Sequence, residues 1–361
     1  MFFYISRTES EYKKPLSTTY KVKDYYIQLD KGWQRFNNIF YKGYTIGENL
    51  ESKVQSYNFS TTRGNYVILD FSHTPAIYYD DSRGFPLFLN KDILTNINDN
   101  LLETIYFNGT AINVNDEWRW KQADEKYSIS FDSDHKIYNK TELVDVVCNY
   151  LITVTQQLET TIPLIAADSP GVDVAMVKSA FDYCNIEYST GNQSSTKQDL
   201  SNLGWGYDQM HVIDTPHMQL TGFSGDELLL RNPMFVQWLL DCHGIDLCQE
   251  FDNIDSCYMK GFFNEKYRNK ILKRNEIFYD QDEGFNHTAN VALNDFQMWH
   301  LDNAITFTPL RNLDIAIECL YAEPDVVLDQ VMHGGLSKAV IKKLNPKNLE
   351  SISVYKNNYL P

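Results

Sequence analysis

Residues 164–177 read Leu-Ile-Ala-Ala-Asp-Ser-Pro-Gly-Val-Asp-Val-Ala-Met-Val, a pattern that could hold a phosphate. The apolar run Leu164 to Ala167 reads as a buried parallel strand. It breaks at Asp168-Ser169-Pro170-Gly171 and passes into a helical pattern from Val172 to Cys184. Strand, tight turn and helix together aim backbone N–H groups and a positive helix end at the carboxyl edge of a sheet, where an anion sits well. An ordinary β-to-α turn carries the same local pattern, so the stretch needs company. A second stretch, Thr221-Gly222-Phe223-Ser224-Gly225-Asp226-Glu227-Leu228, supplies glycines that allow close backbone approach to a nucleotide. Two other constellations carry little. His211, Asp214 and His217 lie on a strand followed by Thr215-Pro216, so their side chains do not converge on a metal. Asp241, Cys242 and His243 are neighbours on a helix and point apart.

The elements that must position these residues begin at Thr141. Leu143, Val146, Val147, Tyr150, Leu151, Val154 and Leu158 recur at helical spacing, with Thr141 and Glu142 at its start. This helix leads into the strand at Leu164. Asn185 to Ser189 reads as the next parallel strand, Thr190 to Ser201 as a polar loop, His211 to Asp214 as a third strand and Met218 to Thr221 as a fourth. Alternating strands and helices imply a doubly wound parallel sheet with ligands at the strand ends.

Residues 1–140 differ. Tyr25–Leu29, Ile39–Tyr44, Tyr66–Phe71, Ala76–Tyr79, Phe85–Leu89, Ile105–Phe107 and Tyr127–Phe131 read as strands joined by turns, with one short helix within Lys91 to Leu102. A mostly antiparallel β domain is expected over 1–140 and an α/β domain over 141–361. At 361 residues the chain can bury two cores.

A net charge of −16 argues against a nucleic-acid backbone as partner, and Lys260 to Arg274 reads as a solvated helix face. The chain has no apolar run long enough to span a membrane, and its first residues do not read as a signal peptide. The six cysteines show no CxxC pair and read as packed thiols in a reducing, cytoplasmic setting. Asn-x-Ser/Thr triplets such as Asn108-Gly-Thr carry little weight in so Asn-rich a chain.

Several of these stretches resemble the asparagine synthetase and β-lactam synthetase superfamily. Ser169-Pro170-Gly171-Val172-Asp173-Val174 is similar to the PP-loop Ser-Gly-Gly-x-Asp-Ser of ATP pyrophosphatases. Thr221 to Leu228 is similar to the family's Ser-Gly-x-Gly-Ala/Ser-Asp-Glu-Leu/Val signature. Asp295 to His300 with Thr306 to Asn312 resembles its helix and "Val-Arg-x-Pro-Phe-Leu-Asp" block. Gly334 to Ile341 resembles its late "Gly-x-x-Lys-x-x-Leu-Arg" element, and Leu349 to Lys356 its closing segment. In the first half, Arg63 to Asp70 and Ala76 to Phe88 resemble the glutaminase domain of asparagine synthetases.

The resemblance implies an adenine nucleotide α-hydrolase-like C-terminal domain and an N-terminal domain related to the Ntn glutaminase fold. It implies ATP and Mg²⁺. Ser169, Gly171 and the helix start would hold pyrophosphate, Asp173 and Asp226 the Mg²⁺, which takes one or two carboxylates plus phosphate oxygens. Gly222 would lie under the nucleotide, and Lys338 would act catalytically by offsetting charge on the adenylate. The partners would be a small-molecule or peptide carboxylate and an amine, with self-association left open. The departures are specific. Pro170 lacks an N–H, Val174 lacks a hydroxyl, and Phe223 stands where the family carries Glu or Tyr. The glutaminase cysteine has no counterpart, because no cysteine precedes Cys148, so glutamine hydrolysis is not expected. The activity implied is an ATP-dependent amide-forming ligase; a catalytically impaired relative that binds nucleotide or a protein partner is the alternative.

Overall fold

The computed structural model describes residues 1–9, 16–60, 62–80, 87–97, 103–105, 109–122, 134–158, 160, 162–167, 171–191, 217–222, 225, 229–231 and 304–352. Among the described residues, twelve short strands precede residue 123. They are β1 (Phe3–Ser6), β2 (Thr18–Val22), β3 (Tyr25–Leu29), β4 (Gln34–Phe36), β5 (Ile39–Thr45), β6 (Gly64–Asp70), β7 (Ala76–Tyr79), β8 (Leu87–Leu89), β9 (Ile93–Thr95), β10 (Glu103–Ile105), β11 (Gly109–Val114) and β12 (Glu117–Gln122). They form two antiparallel sheets, in the orders β10-β8-β9-β1-β3-β2 and β12-β11-β7-β6-β5-β4.

Period-two alternation explains how the second sheet is covered on both sides. Phe40, Val67 and Leu69 face the first sheet and share a core with Phe3, Ile5, Ile27 and Leu94. Their neighbours Ile39, Tyr41, Tyr66 and Ile68 face the opposite way, under Leu50 and Val54 of helix α1 (Leu50–Gln55). Burial on both faces is why β5 and β6 read as nearly unbroken apolar runs rather than alternating ones.

One ionic cluster sits inside this half. Asp30 and Lys42 are almost wholly buried and lie 2.8 Å apart. The backbone N–H of Phe2 and the indole N–H of Trp33 both donate to Asp30 Oδ1, at 2.8 and 2.6 Å. The Met1 amino group is 3.8 Å from Oδ2. Burial alone pushes the Asp30 carboxyl up, but the amino group, Lys42 and the hydrogen bonds outweigh it and hold the group below 3.8.

The second half starts with α2 (Lys140–Gln156), whose N-terminus is a full capping box. Asn139 accepts from the Glu142 N–H, and Glu142 accepts from the Asn139 N–H. The cap is thus Asn139, not Thr141 as the sequence spacing indicates. Strands β13 (Leu164–Ala167), β14 (Ser189–Gly191), β15 (His217–Leu220) and β16 (Ala304–Phe307) form a parallel sheet in the order β14-β13-β15-β16. Helix α3 (Val172–Tyr183) packs against α2, against α6 (Gly335–Leu344) and on β13 and β15. Helices α4 (Leu313–Leu320) and α5 (Pro324–His333) complete the described part. A turn of 3₁₀ helix at Pro346–Leu349 returns to α3, where Asn348 donates to Ser179 and Asp182 at 2.9 and 2.8 Å.

Two further expectations are corrected. The strand read over Asn185 to Ser189 begins only at Ser189, because Asn185 (φ 55°) and Ile186 close α3 instead. Their N–H groups bond to the Asp182 and Phe181 carbonyls at 3.1 and 3.0 Å, a Schellman cap. The short helix read within Lys91 to Leu102 gives way to β9, since Asn90 turns the chain by accepting from Asp92 and Ile93 at 2.9 and 2.8 Å, and β9 then pairs with β8 and β1. The strands read at Tyr127–Phe131 and His211–Asp214, and the segment Lys260 to Arg274, lie outside the described residues. Among the described residues no helix is long and apolar enough to cross a membrane.

The two halves are joined through Tyr44, at the end of β5. Its ring is buried in the core of the second half, 5.4 Å from the Phe307 ring, and its hydroxyl accepts from the Thr308 N–H at 3.4 Å. An antiparallel bridge from Ile46 to Leu158 and an ion pair between Arg63 and Asp314 flank it.

Replacing Lys42 by Met leaves Asp30 with one cation fewer in a dry site, and chemical denaturation at neutral pH should show a loss of about 3–5 kcal/mol. Because the folded-state carboxyl lies below 3.8, its contribution is complete above that value and is lost as pH falls beneath it. Unfolding curves measured from pH 6 downward should show this acid limb in the wild type and a flatter one in Asp30→Asn.

Candidate functional site at the carboxyl edge of the parallel sheet

The strand order creates a crevice. β13 lies between β14 and β15, pairing in parallel with both. The connection leaving β13 runs through α3 to β14 on one side, whereas the connection leaving β15 leads to β16 on the other. Loops that follow β13 and β15 therefore diverge, and ligands of open α/β sheets bind at such a switch point.

On the β13 side, α3 starts at Gly171, an extended N-cap (φ −66°, ψ 138°) that provides no side-chain cap. Asp173 lies in the first turn, where a carboxylate is favoured by the helix dipole. On the β15 side the chain passes Thr221, whose N–H donates to the Phe307 carbonyl at 3.0 Å, and reaches Gly222. A Cβ on Gly222 would lie 2.4 Å from both the carbonyl carbon and Cβ of Asp173, and 2.5 Å from the Val174 nitrogen. A Cβ on Gly225 would lie 2.6 Å from Asp173 Cγ and 2.8 Å from Leu310 Cδ1. Gly222 must be glycine, because a Cβ there meets main chain, whereas at Gly225 a Cβ would displace the ends of the Asp173 and Leu310 side chains. Sequence gave these glycines to nucleotide approach; the geometry gives them a protein neighbour.

Arg231 is the residue that sequence reasoning missed. It pairs with Asp173 Oδ2, and the two side chains are only 8% and 14% exposed. Leu230, just before it, is buried with φ 58°, in the left-handed region that costs a non-glycine residue about 1 kcal/mol or more. Gln330 of α5, wholly buried, fixes this segment by donating to the Leu229 carbonyl at 2.9 Å and to Ser337 Oγ at 2.8 Å. Arg231 Cδ and Lys338 Cε both approach Gly334 (φ 63°), at 3.9 and 4.0 Å from the position of a Cβ there. A signal for Arg231 was present: a lone arginine after Leu228-Leu229-Leu230 is a cation in an apolar run, which requires a carboxylate partner if buried.

Gly171, Asp173 and Gly222 therefore meet at one edge, and Lys338 lies beyond them, on the far side of Gly334 from α5, where its side chain and that of Arg231 both pass near Gly334. Ser169, Asp226, Pro170 and Phe223 lie outside the described residues, as do Asp214, Asp241, Cys242 and His243. From β16 comes the turn Thr308 to Arg311. Arg311 is buried, and burial pushes its guanidinium down to about 10 despite the opposing charges of Asp80 and Tyr44. Cys148 and Cys319 are buried away from this edge; burial pushes their thiols up to about 11 and about 12, so at neutral pH they are protonated.

The donors fit a magnesium nucleotide in part. The turn at Gly222 and Gly225, the helix start and two cations suit a phosphate chain. Asp173, however, already gives Oδ2 to Arg231, and among the described residues no group of three His, Cys, Asp or Glu side chains gathers as a metal site. The sequence matches no model of a protein family and no curated protein.

Gly222→Ala should force the turn away from α3 and lower stability by roughly 1–3 kcal/mol, the usual range for overpacking. The thermal midpoint of the purified variant checks this, with Ala180→Gly, at a buried position on the same helix, as a comparison for loss of packing without a clash.

Proposed function

We propose that the protein is an ATP-dependent amide-forming ligase that adenylates a carboxylate and passes it to ammonia or a substrate amine, without hydrolysing glutamine. The observation that carries this reading is the seating of the Gly222–Gly225 turn on the first turn of α3, with Asp173 between them at the switch point. Adenine nucleotides suit such a crevice, and the order of sequence blocks resembling asparagine synthetases runs through the same edge.

In this scheme a carboxylate oxygen attacks the α-phosphorus of ATP, the bond to the β-phosphate breaks and pyrophosphate leaves. The amine then attacks the acyl carbon and AMP departs with the bonding pair. The protein's work is positioning and charge neutralisation. The helix start at Gly171, with Ser169 preceding it in sequence, would hold the phosphates. Gly222 keeps the β15 turn close to α3. Mg²⁺, held through Asp173 and Asp226, would neutralise the phosphate chain and the leaving pyrophosphate. Lys338, in the first turn of α6 with its N–H on the Gly334 carbonyl at 2.9 Å, supplies a cation to the adenylate as it forms and collapses.

The substrates belong to the small-molecule or peptide class, and the reading places the enzyme in the cytoplasm, where ATP is plentiful and thiols such as Cys148, Cys184 and Cys319 stay reduced. A second reading is favoured by one specific feature. Arg231 occupies Asp173 from within the protein, and the sequence has lost donors at Pro170 and Val174, each worth about 3 kcal/mol of transition-state stabilisation in a working site. That combination also suits a relative that binds nucleotide without turning it over.

Thermal unfolding with Mg-ATP separates these readings from a protein that binds no nucleotide: at 100 times Kd, binding stabilises by about 2.7 kcal/mol. Pyrophosphate release that depends on added carboxylate marks the ligase. Lys338→Ala should then slow release by roughly 100-fold or more with the thermal midpoint unchanged. ATP binding without release, across a panel of carboxylates and amines, selects the second reading.

A further inference from the structure

We propose that Arg7, Asn113 and Trp118 form a binding site for the carboxylate of a small molecule, at the end of the two antiparallel sheets where β1 finishes. The site belongs to the core of the first half and does not depend on the nucleotide reading above.

Three parts of the chain bring these side chains together. Arg7 follows the last residue of β1, and its Nη2 donates to the Tyr25 hydroxyl at the start of β3 at 3.1 Å and to Asn113 Oδ1 on β11 at 3.4 Å. Asn113 and Trp118 are partners across the β11–β12 hairpin. Their side chains therefore leave the same face, the one that carries Ala111 into the core shared by the two sheets. The Tyr25 ring neighbours both ends of the group, with the Arg7 guanidinium 5.3 Å from its centroid and the Trp118 ring 6.1 Å away.

The group is rich in donors. Asn113 and Trp118 are only 6% and 5% exposed. Among the described residues Asn113 Nδ2, Trp118 Nε1 and Arg7 Nε are buried and make no hydrogen bond. Because Asn113 gives its oxygen to Arg7, its amide nitrogen sits beside the guanidinium. Buried donors are normally paired, and the same half pairs comparable groups elsewhere. The Trp33 indole and the Lys42 ammonium both donate to the Asp30 carboxylate, at 2.6 and 2.8 Å. A water oxygen offers about two acceptor positions and an ionised carboxylate about four, so a carboxylate can serve a cation and two neutral N–H donors at once. Asp116, at the tip of the hairpin, is the competitor, since it pairs with Arg7 Nη2. Its side chain is 68% exposed and that of Arg7 26%, so the pair is screened by solvent and contributes little. An incoming carboxylate can take the guanidinium from it, and the exposed part of Arg7 gives it a way in.

The test titrates the full chain, isotope-labelled in nitrogen, with acetate and with benzoate, and with benzamide as the uncharged counterpart. The readout is the set of indole N–H resonances from the six tryptophans, with Trp118→Phe identifying the signal of residue 118. Both carboxylates should move that signal downfield and saturably, and benzamide should leave it in place. Arg7→Gln should weaken both carboxylates at least about 10-fold, the worth of one charge-assisted hydrogen bond. Asp116→Asn, which removes the competing carboxylate, should tighten them several-fold. Both side chains are partly exposed, so the thermal midpoint of either variant should stay close to that of the wild type. If Trp118→Phe does not fold, the two exposed variants decide alone, by opposite shifts in the affinity read from the responding indole. Indole signals that neither carboxylate moves, a response unchanged in Arg7→Gln, or an equal response to benzamide overturns the proposal.

Discussion

The main chain at Gly222 comes within one missing methyl of the main chain at Asp173, and this contact governs the second half of the molecule. It presses the β15 turn onto the start of α3, which leaves the Asp173 carboxylate nowhere to go but the narrow space beside Gly225 and Leu310. A carboxylate confined there needs a cation, and Arg231 arrives from the same turn to supply one. The strained Leu230, the buried Gln330 and the left-handed Gly334 all follow from bringing that cation in while keeping α5 and α6 packed. A close backbone approach, an ion pair and a helix–helix corner are thus one structure rather than three. Such a site is stiff, because each part has a neighbour that cannot retreat.

The same contact gives the first half a mechanical role. Tyr44 reaches from β5 into the second core, packs on Phe307 and holds the Thr308 N–H. Leu310, two residues further, is the side chain that closes against Gly225. Tyr150 of α2 steadies the intervening step by donating to the Pro309 carbonyl at 2.6 Å. The antiparallel half therefore sets the β16 turn, and the β16 turn sets one wall around Asp173. Burial of Asp80 against Arg311 fits this arrangement: a carboxylate from β7's end balances a cation at the carboxyl edge of the parallel sheet.

Long-period and strongly apolar segments were legible in the sequence; pairings decided at a distance were not. Leu164–Ala167 and α3 could be read because a buried strand and a helix start each leave a local mark, and the same is true of Tyr25–Leu29 and Ala76–Tyr79. Strand β2 could not, since Thr18 to Val22 is mostly exposed and becomes a strand only by lying beside β3. Strands β11 and β12 are a polar hairpin turned by Asn115 and Asp116, both at positive φ, and were likewise missed. The helix read near Lys91 failed because sheet pairing to β1 overrides a weak local preference. At the site, glycine spacing and Asp173 were legible. The reason for the glycines was not, because the body against which they pack comes from another part of the chain. Arg231 was hidden for the same cause: its meaning lies in a partner 58 residues away.

Electrostatics bears on the two functional readings in a way that composition conceals. A chain with a net charge of −16 repels polyanions at long range, which at first sight speaks against a triphosphate ligand. Screening limits that repulsion to a Debye length of about 8 Å at physiological salt, so the charges within that reach decide. At the carboxyl edge of this sheet the described groups include Arg231 paired with Asp173, the start of α3 and Arg311 facing Asp80, and the Asp329 carboxylate lies against Gly335 at the corner between α5 and α6. Among these described groups Arg231 and Arg311 each face a carboxylate, so local pairs and not the net charge set the field there. A metal ion and a guanidinium can each neutralise a carboxylate, so under the proposed nucleotide reading Mg²⁺ would compete with Arg231 for Asp173. The two proposed readings would share that competition and would part only at whether a substrate carboxylate can reach the α-phosphorus.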